Sequence, residues 1–187
     1  GQLSPIGKKE GTLSVVFVGR IHPVKNLDFL LDAMARVRKG VQLTIVGKME
    51  DKQYWQKCEV LIRQLPDPAA VHYIGEIPNH ELAALLVRHH LFALPTRGEN
   101  FGHAIFEALA CGRPVLISDQ TPWRGLSLAK AGWDLSLGDA AAFSTALDTM
   151  AAFGQQQYDD WCRGALRLVK EFVGKTDLRE EYKKLFS

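Results

Sequence analysis

Two glutamates separated by seven residues, Glu99 and Glu107, stand in the stretch TRGENFGHAIFEALACGRPVL at 96–116. Glu99 reads as a loop residue and Glu107 as part of an apolar helix. A carboxylate on the apolar side of a helix is costly to bury unless it is paired, hydrogen-bonded or used. Glu107 therefore calls for a partner, from the protein or from a ligand. Gly98 and Gly102 let a backbone approach a ligand closely, and a helix starting near Phe101 offers first-turn N–H groups that favour a phosphate. Within that helix His103 and Glu107 fall one turn apart on one side, leaving Ile105, Phe106 and Leu109 for the core. A carboxylate in this position suits the vicinal hydroxyls of a sugar or ribose, because it accepts two hydrogen bonds at once.

A second polar stretch, GRIHPVKN at 19–26, sets Arg20 and Lys25 around the start of a helix that Asn26 would cap. Cations are disfavoured at that end of the helix dipole, so the pair makes electrostatic sense when an anion sits among them. Taken singly, each charge has a plain alternative. Arg20 and Lys25 can be solvated or paired with an acid such as Asp28, Glu99 can be a loop charge, Glu107 a surface position or the partner of an arginine, and His103 a solvated first-turn residue. The loop carries neither the G-x-G-x-x-G fingerprint nor a P-loop pattern, which weakens dinucleotide and ATP-hydrolysis readings.

The elements that must position these residues follow from periodicity. Short apolar runs at 13–18, 43–46, 71–74, 91–94 and 115–117, with a sixth at 133–135, read as strands. Helical spacing fills 27–37, 54–63, 80–88 and 101–110, and helices continue from Ala140 onward. Continuous apolar strands alternating with helices imply a doubly wound, Rossmann-like parallel sheet of about six strands with helices on both faces. Ligands of such sheets collect at the strands' carboxyl ends, which directs attention to 19–25, 47–51, 75–79, 95–102 and 118–124. The first dozen residues and 152–158 read as linker or turn.

The chain has 187 residues, 47% of them hydrophobic and 24% charged, which suits one domain with one substantial core. A net charge of +2 with interleaved signs excludes a polyanion-binding block, so no nucleic acid is expected. Six histidines without ligand spacing make zinc unexpected. Three widely spaced cysteines, Cys58, Cys111 and Cys162, fit neither a disulfide framework nor a metal motif and point to a reducing compartment, the cytoplasm. No signal peptide and no bilayer-spanning run is read.

In these residues the chain resembles the C-terminal, donor-binding half of retaining glycosyltransferases of the GT-B fold, glycosyltransferase family 4 or group 1. Their E-x7-E signature appears as Glu99 and Glu107, followed by ALACGRPVLISD, and their loop Arg and Lys as Arg20 and Lys25. The resemblance runs over 13–147. It implies a nucleoside-diphosphate sugar as donor substrate, an unidentified acceptor, and no cofactor or metal. It further implies that Arg20 and Lys25 hold the diphosphate, with Phe101, Gly102 and the N–H groups of His103 and Ala104 completing the anion site. Glu99 would orient the transferred sugar without acting as nucleophile, Glu107 would take the ribose hydroxyls, and backbone near Ile77 would border the base.

Two features depart from the family pattern. SDQTPWRGL at 118–126 stands where many members have a Gly-Gly pair and a downstream Glu, so Trp123 and Arg124 would reshape that wall. The N-terminal acceptor-binding domain is also absent from these 187 residues, which makes the chain an excised half or one subunit of a split enzyme. The run LREEYKKLF at 178–186 would dock on that half, and membrane contact would belong only to the full-length enzyme. The alternatives are a GT-B-type sugar-nucleotide epimerase or phosphorylase and a stand-alone nucleotide-sugar-binding module. A flavodoxin-like signalling domain is disfavoured, because Gly19 and Arg20 stand where it would need acids.

Overall fold

Six strands form one parallel sheet in the computed structural model, which describes residues 5–175. They are β1 (Thr12–Val18), β2 (Gly40–Val46), β3 (Ala70–Gly75), β4 (Leu91–Leu94), β5 (Val115–Ser118) and β6 (Gly132–Leu135), in the order β3-β2-β1-β4-β5-β6. Around the sheet run α1 (Leu27–Ala35), α2 (Lys52–Arg63), α3 (Leu82–Leu86), α4 (His103–Ala110), α5 (Ala140–Ala152) and α6 (Gln155–Lys175). This is the doubly wound α/β architecture expected from the sequence. Every residue of β4 and β5 is buried, as strands covered on both faces must be.

The order reverses at β1, which pairs with β2 on one side and with β4 on the other. The chain leaving β1 turns one way and the chain leaving β4 the other, so a crevice opens above their carboxyl ends. Gly47 sets how closely the flanking loops approach. Its φ of 155° favours glycine, and a Cβ there would lie 1.7 Å from the Gly19 carbonyl oxygen.

Several boundaries differ from the expected ones. The helix expected at 101–110 starts two residues later, because Gly102 adopts φ 80° and becomes the N-cap of α4. α1 stops at Ala35, and the helix expected over 80–88 is a 3-10 turn (Asn79–Glu81) followed by the five-residue α3. After α3 the bonds tighten to three-residue steps, Arg88 N to Leu85 O and His89 N to Leu86 O, which turn the chain into β4.

In the two stretches read as linker or turn, the described residues are anchored on the core by single buried side chains, Lys8 in the first and Phe153 and Tyr158 in the second. Only Phe153 and Gly154 separate α5 from α6, and the polar triplet Gln155, Gln156, Gln157 is the exposed first turn of α6. Before β1, Lys8 is 6% exposed and donates to the Ala151 and Phe153 carbonyls at 3.0 and 2.8 Å, closing the carboxyl end of α5. Burial pushes its ammonium down to about 8, with the Glu10 charge opposing and Lys39 reinforcing the shift. The run at 178–186, expected to dock on the missing half, lies outside the described residues.

Cys58 and Cys162 are buried, Cys111 is half-buried, and all three are free thiols. Burial raises each, Cys58 to about 11. No helix among the described residues is long and apolar enough to cross a membrane.

Candidate functional site

Three loops meet above the carboxyl ends of β1, β4 and β5. Arg97 N donates to the Val24 carbonyl at 2.8 Å, and Asn26 Nδ2 donates to the Pro95 carbonyl at 2.9 Å, so the loop after β1 is stitched to the loop after β4. The third loop joins through Ser118 Oγ on the Thr96 carbonyl and Glu99 N on the Gln120 carbonyl. Asn26 corrects the sequence reading. It occupies the N-cap of α1 with φ 64°, yet its side chain makes no cap bond and ties the two loops together.

This stitching brings Lys25 and Glu99 into direct contact as an ion pair across the switch point, with side chains only 16% and 15% exposed. The stem of Lys25 passes over Gly19, where an added Cβ would sit 3.4 Å from Lys25 Cγ. Arg20 diverges from its neighbour. Its guanidinium donates to Glu50 at 2.9 Å, in a pair whose side chains are 52% and 39% exposed. Asp28, named as an alternative partner for these cations, is engaged elsewhere. Burial would raise its carboxyl, but the hydrogen bond from Tyr54 and the Lys57 ammonium outweigh that and hold it below the ordinary value.

α4 points its start at the same crevice. Its first intrahelical bond runs from Phe106 N to Gly102 O at 3.0 Å, and the first-turn N–H groups, at His103 and Ala104, point out of the helix. Gly102 is favoured as glycine by its φ of 80°, and a Cβ there would also press on the tip of Ile105, 2.8 Å from its Cδ1. A Cβ at Gly98 would meet nothing within 4 Å, leaving open space above that loop. Glu107 is half-buried one turn after His103 and makes no ion pair or side-chain hydrogen bond among the described residues. The apolar residues of α4 divide as expected, with Ile105 and Leu109 fully buried and Phe106 packed against the core.

Phe101 and Trp123 pack beneath the site. Trp123 is 4% exposed, donates its indole N–H to the Phe101 carbonyl at 2.8 Å, and lies 4.5 Å from the Phe172 ring of α6. Arg124 is pinned by Asp134 at 3.2 Å and by the Asp119 carbonyl at 2.8 Å. On the other side of the crevice, a cleft of about 490 Å³ opens over the ends of β1, β2 and β3, with Ile77 on its wall and Arg20 at its edge. Lys48 and Glu76, which also line it, lie in the strand-end stretches 47–51 and 75–79 that the sequence singled out, though neither residue was named there. Their signal was position alone, each directly after the glycine that closes a strand. Among the described residues no group of three or more His, Cys, Asp or Glu side chains is placed to hold a metal ion.

Comparison with known proteins agrees with this layout. Residues 12–152 match the family model described as glycosyl transferases group 1. The phosphatidyl-myo-inositol mannosyltransferase of Mycobacterium leprae (strain TN) is 31% identical over 140 residues, covering 72% of this chain and 36% of that protein. O-antigen chain mannosyltransferase B of Escherichia coli is 31% identical over 112 residues, covering 57% of this chain and 28% of that protein. The chain thus spans 28% to 36% of the length of these relatives. Among solved structures, the C-terminal domain of a glycosyl transferase group 1 family protein (LpcC) from Francisella tularensis superposes with a TM-score of 0.72 at 16% identity, covering 89% of this chain and 87% of that one. Anabaena HepE in complex with UDP and glucose gives 0.72 at 20% identity, covering 86% and 44%. At these identities the structural likeness establishes the fold alone, the Rossmann-like α/β domain that these structures share.

Proposed function

Because the chain belongs to the group 1 glycosyltransferase family, we propose that it is the donor-binding half of a retaining enzyme that moves a sugar from a nucleoside-diphosphate sugar to an acceptor hydroxyl. The lengths of the relatives support an acceptor-binding domain outside these 187 residues. The observation that carries the reading is the Lys25–Glu99 pair at the switch point, beside the α4 N-terminus and Glu107, which has no side-chain partner among the described residues.

On this reading the ion pair holds two binding groups in place until the donor exchanges with it. The donor's diphosphate takes the Lys25 ammonium and a sugar hydroxyl takes the Glu99 carboxylate, so each charge trades one hydrogen-bond partner for another. Arg20 leaves an exposed pair with Glu50, worth less than about 1 kcal/mol, to reach the same phosphates. Glu107 accepts the ribose hydroxyls, and backbone at Ile77 borders the base. As the bond between anomeric carbon and phosphate breaks, negative charge grows on the leaving diphosphate, where Lys25, Arg20 and the N–H groups at His103 and Ala104 stabilise it.

Calorimetric titration of the 187-residue chain with UDP, GDP and ADP tests the binding half of the reading. One diphosphate should bind, and Glu107→Ala should weaken it about 10-fold, the value of a charged hydrogen bond. Silence across all three nucleotides would overturn the assignment. In the full-length enzyme Glu99→Ala should lower turnover about 100-fold while nucleotide affinity stays within about 3-fold. Near-normal turnover in that variant would remove Glu99 from the mechanism.

A further inference from the structure

Two side chains of opposite charge line the 490 Å³ cleft over β1, β2 and β3: Lys48 from the loop after β2 and Glu76 from the loop after β3. Neither makes an ion pair or side-chain hydrogen bond among the described residues, although Arg20 at the same cleft is paired with Glu50. Burial and then the Glu76 charge raise the Tyr73 phenol, whose hydroxyl is fixed on the Gly47 carbonyl at 2.7 Å. Besides Arg20, which is paired with Glu50, and the Asn79 amide, the cleft is therefore an apolar-walled space with one acceptor-only group and one donor-only group in it. Its volume falls in the range of small-molecule sites. β2 lies two strand spacings from β4, roughly 10 Å, so a ribose and diphosphate can span from this cleft to the start of α4.

The common nucleobases match that pair of charges unequally. Guanine presents two adjacent donors, N1–H and the 2-amino group, to the two oxygens of one carboxylate, and two adjacent acceptors, O6 and N7, to an ammonium. Uracil has a single N3–H between two carbonyl oxygens, and adenine sets the N1 lone pair beside its amino group. Each turns an acceptor toward a carboxylate that reaches across its edge, a repulsion that selects against it. We propose that the cleft takes guanine, with Glu76 reading N1–H and the 2-amino group and Lys48 reading O6 and N7, so that the donor is a guanosine-diphosphate sugar. This inference rests on the donor-site reading above and names its base.

The test is calorimetric titration of the chain and of Glu76→Gln with GDP, IDP, UDP and ADP. GDP should bind at least about 10-fold more tightly than UDP and ADP. IDP, which lacks only the 2-amino group, should bind about 10-fold more weakly than GDP. Glu76→Gln should bring GDP down to the level of IDP or below while leaving UDP within about 3-fold, and the exposed position of Glu76 leaves the fold unperturbed. UDP or ADP matching GDP, or GDP and IDP binding alike, would overturn the guanine assignment and leave the donor site standing. Failure of all four nucleotides to bind would overturn the donor-site reading, and this inference with it.

Discussion

At the amino ends of β1 and β4 the polar groups are buried and bound to one another. His90 Nδ1 accepts from Ser14 N at 2.9 Å, its Nε2 donates to the Gly7 carbonyl at 2.7 Å, and Tyr158 donates its hydroxyl to the His90 carbonyl at 2.7 Å. Arg113, 1% exposed, donates to the Val87 carbonyl at 2.6 Å, just ahead of β5. At the carboxyl end of the sheet the charges are half-buried or exposed. Lys25 holds Glu99, Arg20 holds Glu50 at the surface, and Glu107, Glu76 and Lys48 have no partner of this kind among the described residues. Buried hydrogen bonds of this kind fix a fold, because each group would cost free energy if left alone. An open set of charges held by stiff, stitched loops is free to trade partners with a ligand.

If the amino-end network is structural, breaking it should unfold the chain without touching nucleotide affinity. Tyr158→Ala removes a fully buried ring and its hydrogen bond to the His90 carbonyl, and should cost about 4 kcal/mol in urea denaturation. The GDP affinity of the molecules still folded should not change. A loss of affinity comparable to the loss of stability would join the two ends into one unit.

The same network makes stability depend on pH. Burial lowers the pKa of His90 below the ordinary 6.5, with the Gly7 carbonyl opposing and Lys8, Arg113 and His89 adding to the shift; burial also lowers that of His89. A folded pKa below the unfolded one means that the unfolded chain binds the proton more tightly. Stability is then complete above about pH 6.5 and falls as pH drops toward the folded values, by at most about 1.4 kcal/mol per pH unit for each histidine. His90→Asn should flatten that slope in chemical denaturation between pH 7 and 5. An unchanged slope would place the acid sensitivity elsewhere.

The smallest effect belongs to the site end. Glu50→Ala removes the partner of Arg20 from the surface and should change stability by less than about 1 kcal/mol. It should leave nucleotide binding equal or slightly tighter, because Arg20 no longer has to leave a pair. A stability loss approaching that of Tyr158→Ala would show that the carboxyl-end pairs hold the fold after all.

Much of this contrast was legible locally. Buried strands such as LFAL announce themselves as continuous apolar runs, and the spacing of Glu99 and Glu107 is visible without any structure. The misread stretches share one cause. Lys8 and the triplet Gln155 to Gln157 have the composition of a linker, yet one is a buried cap and the other the wet face of a helix whose opposite side carries Tyr158 and Cys162. Composition reports what a segment tolerates, and the neighbour that covers it is decided elsewhere in the chain.

The sequence by itself determined the alternation of elements, the doubly wound class and the identity of the charged residues at strand ends, because periodicity, glycine positions and helix dipoles act over a few residues. The tertiary structure alone decided which charges meet. Lys25 and Glu99 are 74 residues apart and touch only because the strand order reverses between β1 and β4. Arg20, five residues from Lys25, is drawn instead to the loop after β2. That choice depends on the twist and spacing of neighbouring strands, a property of the sheet as a whole and of no single segment.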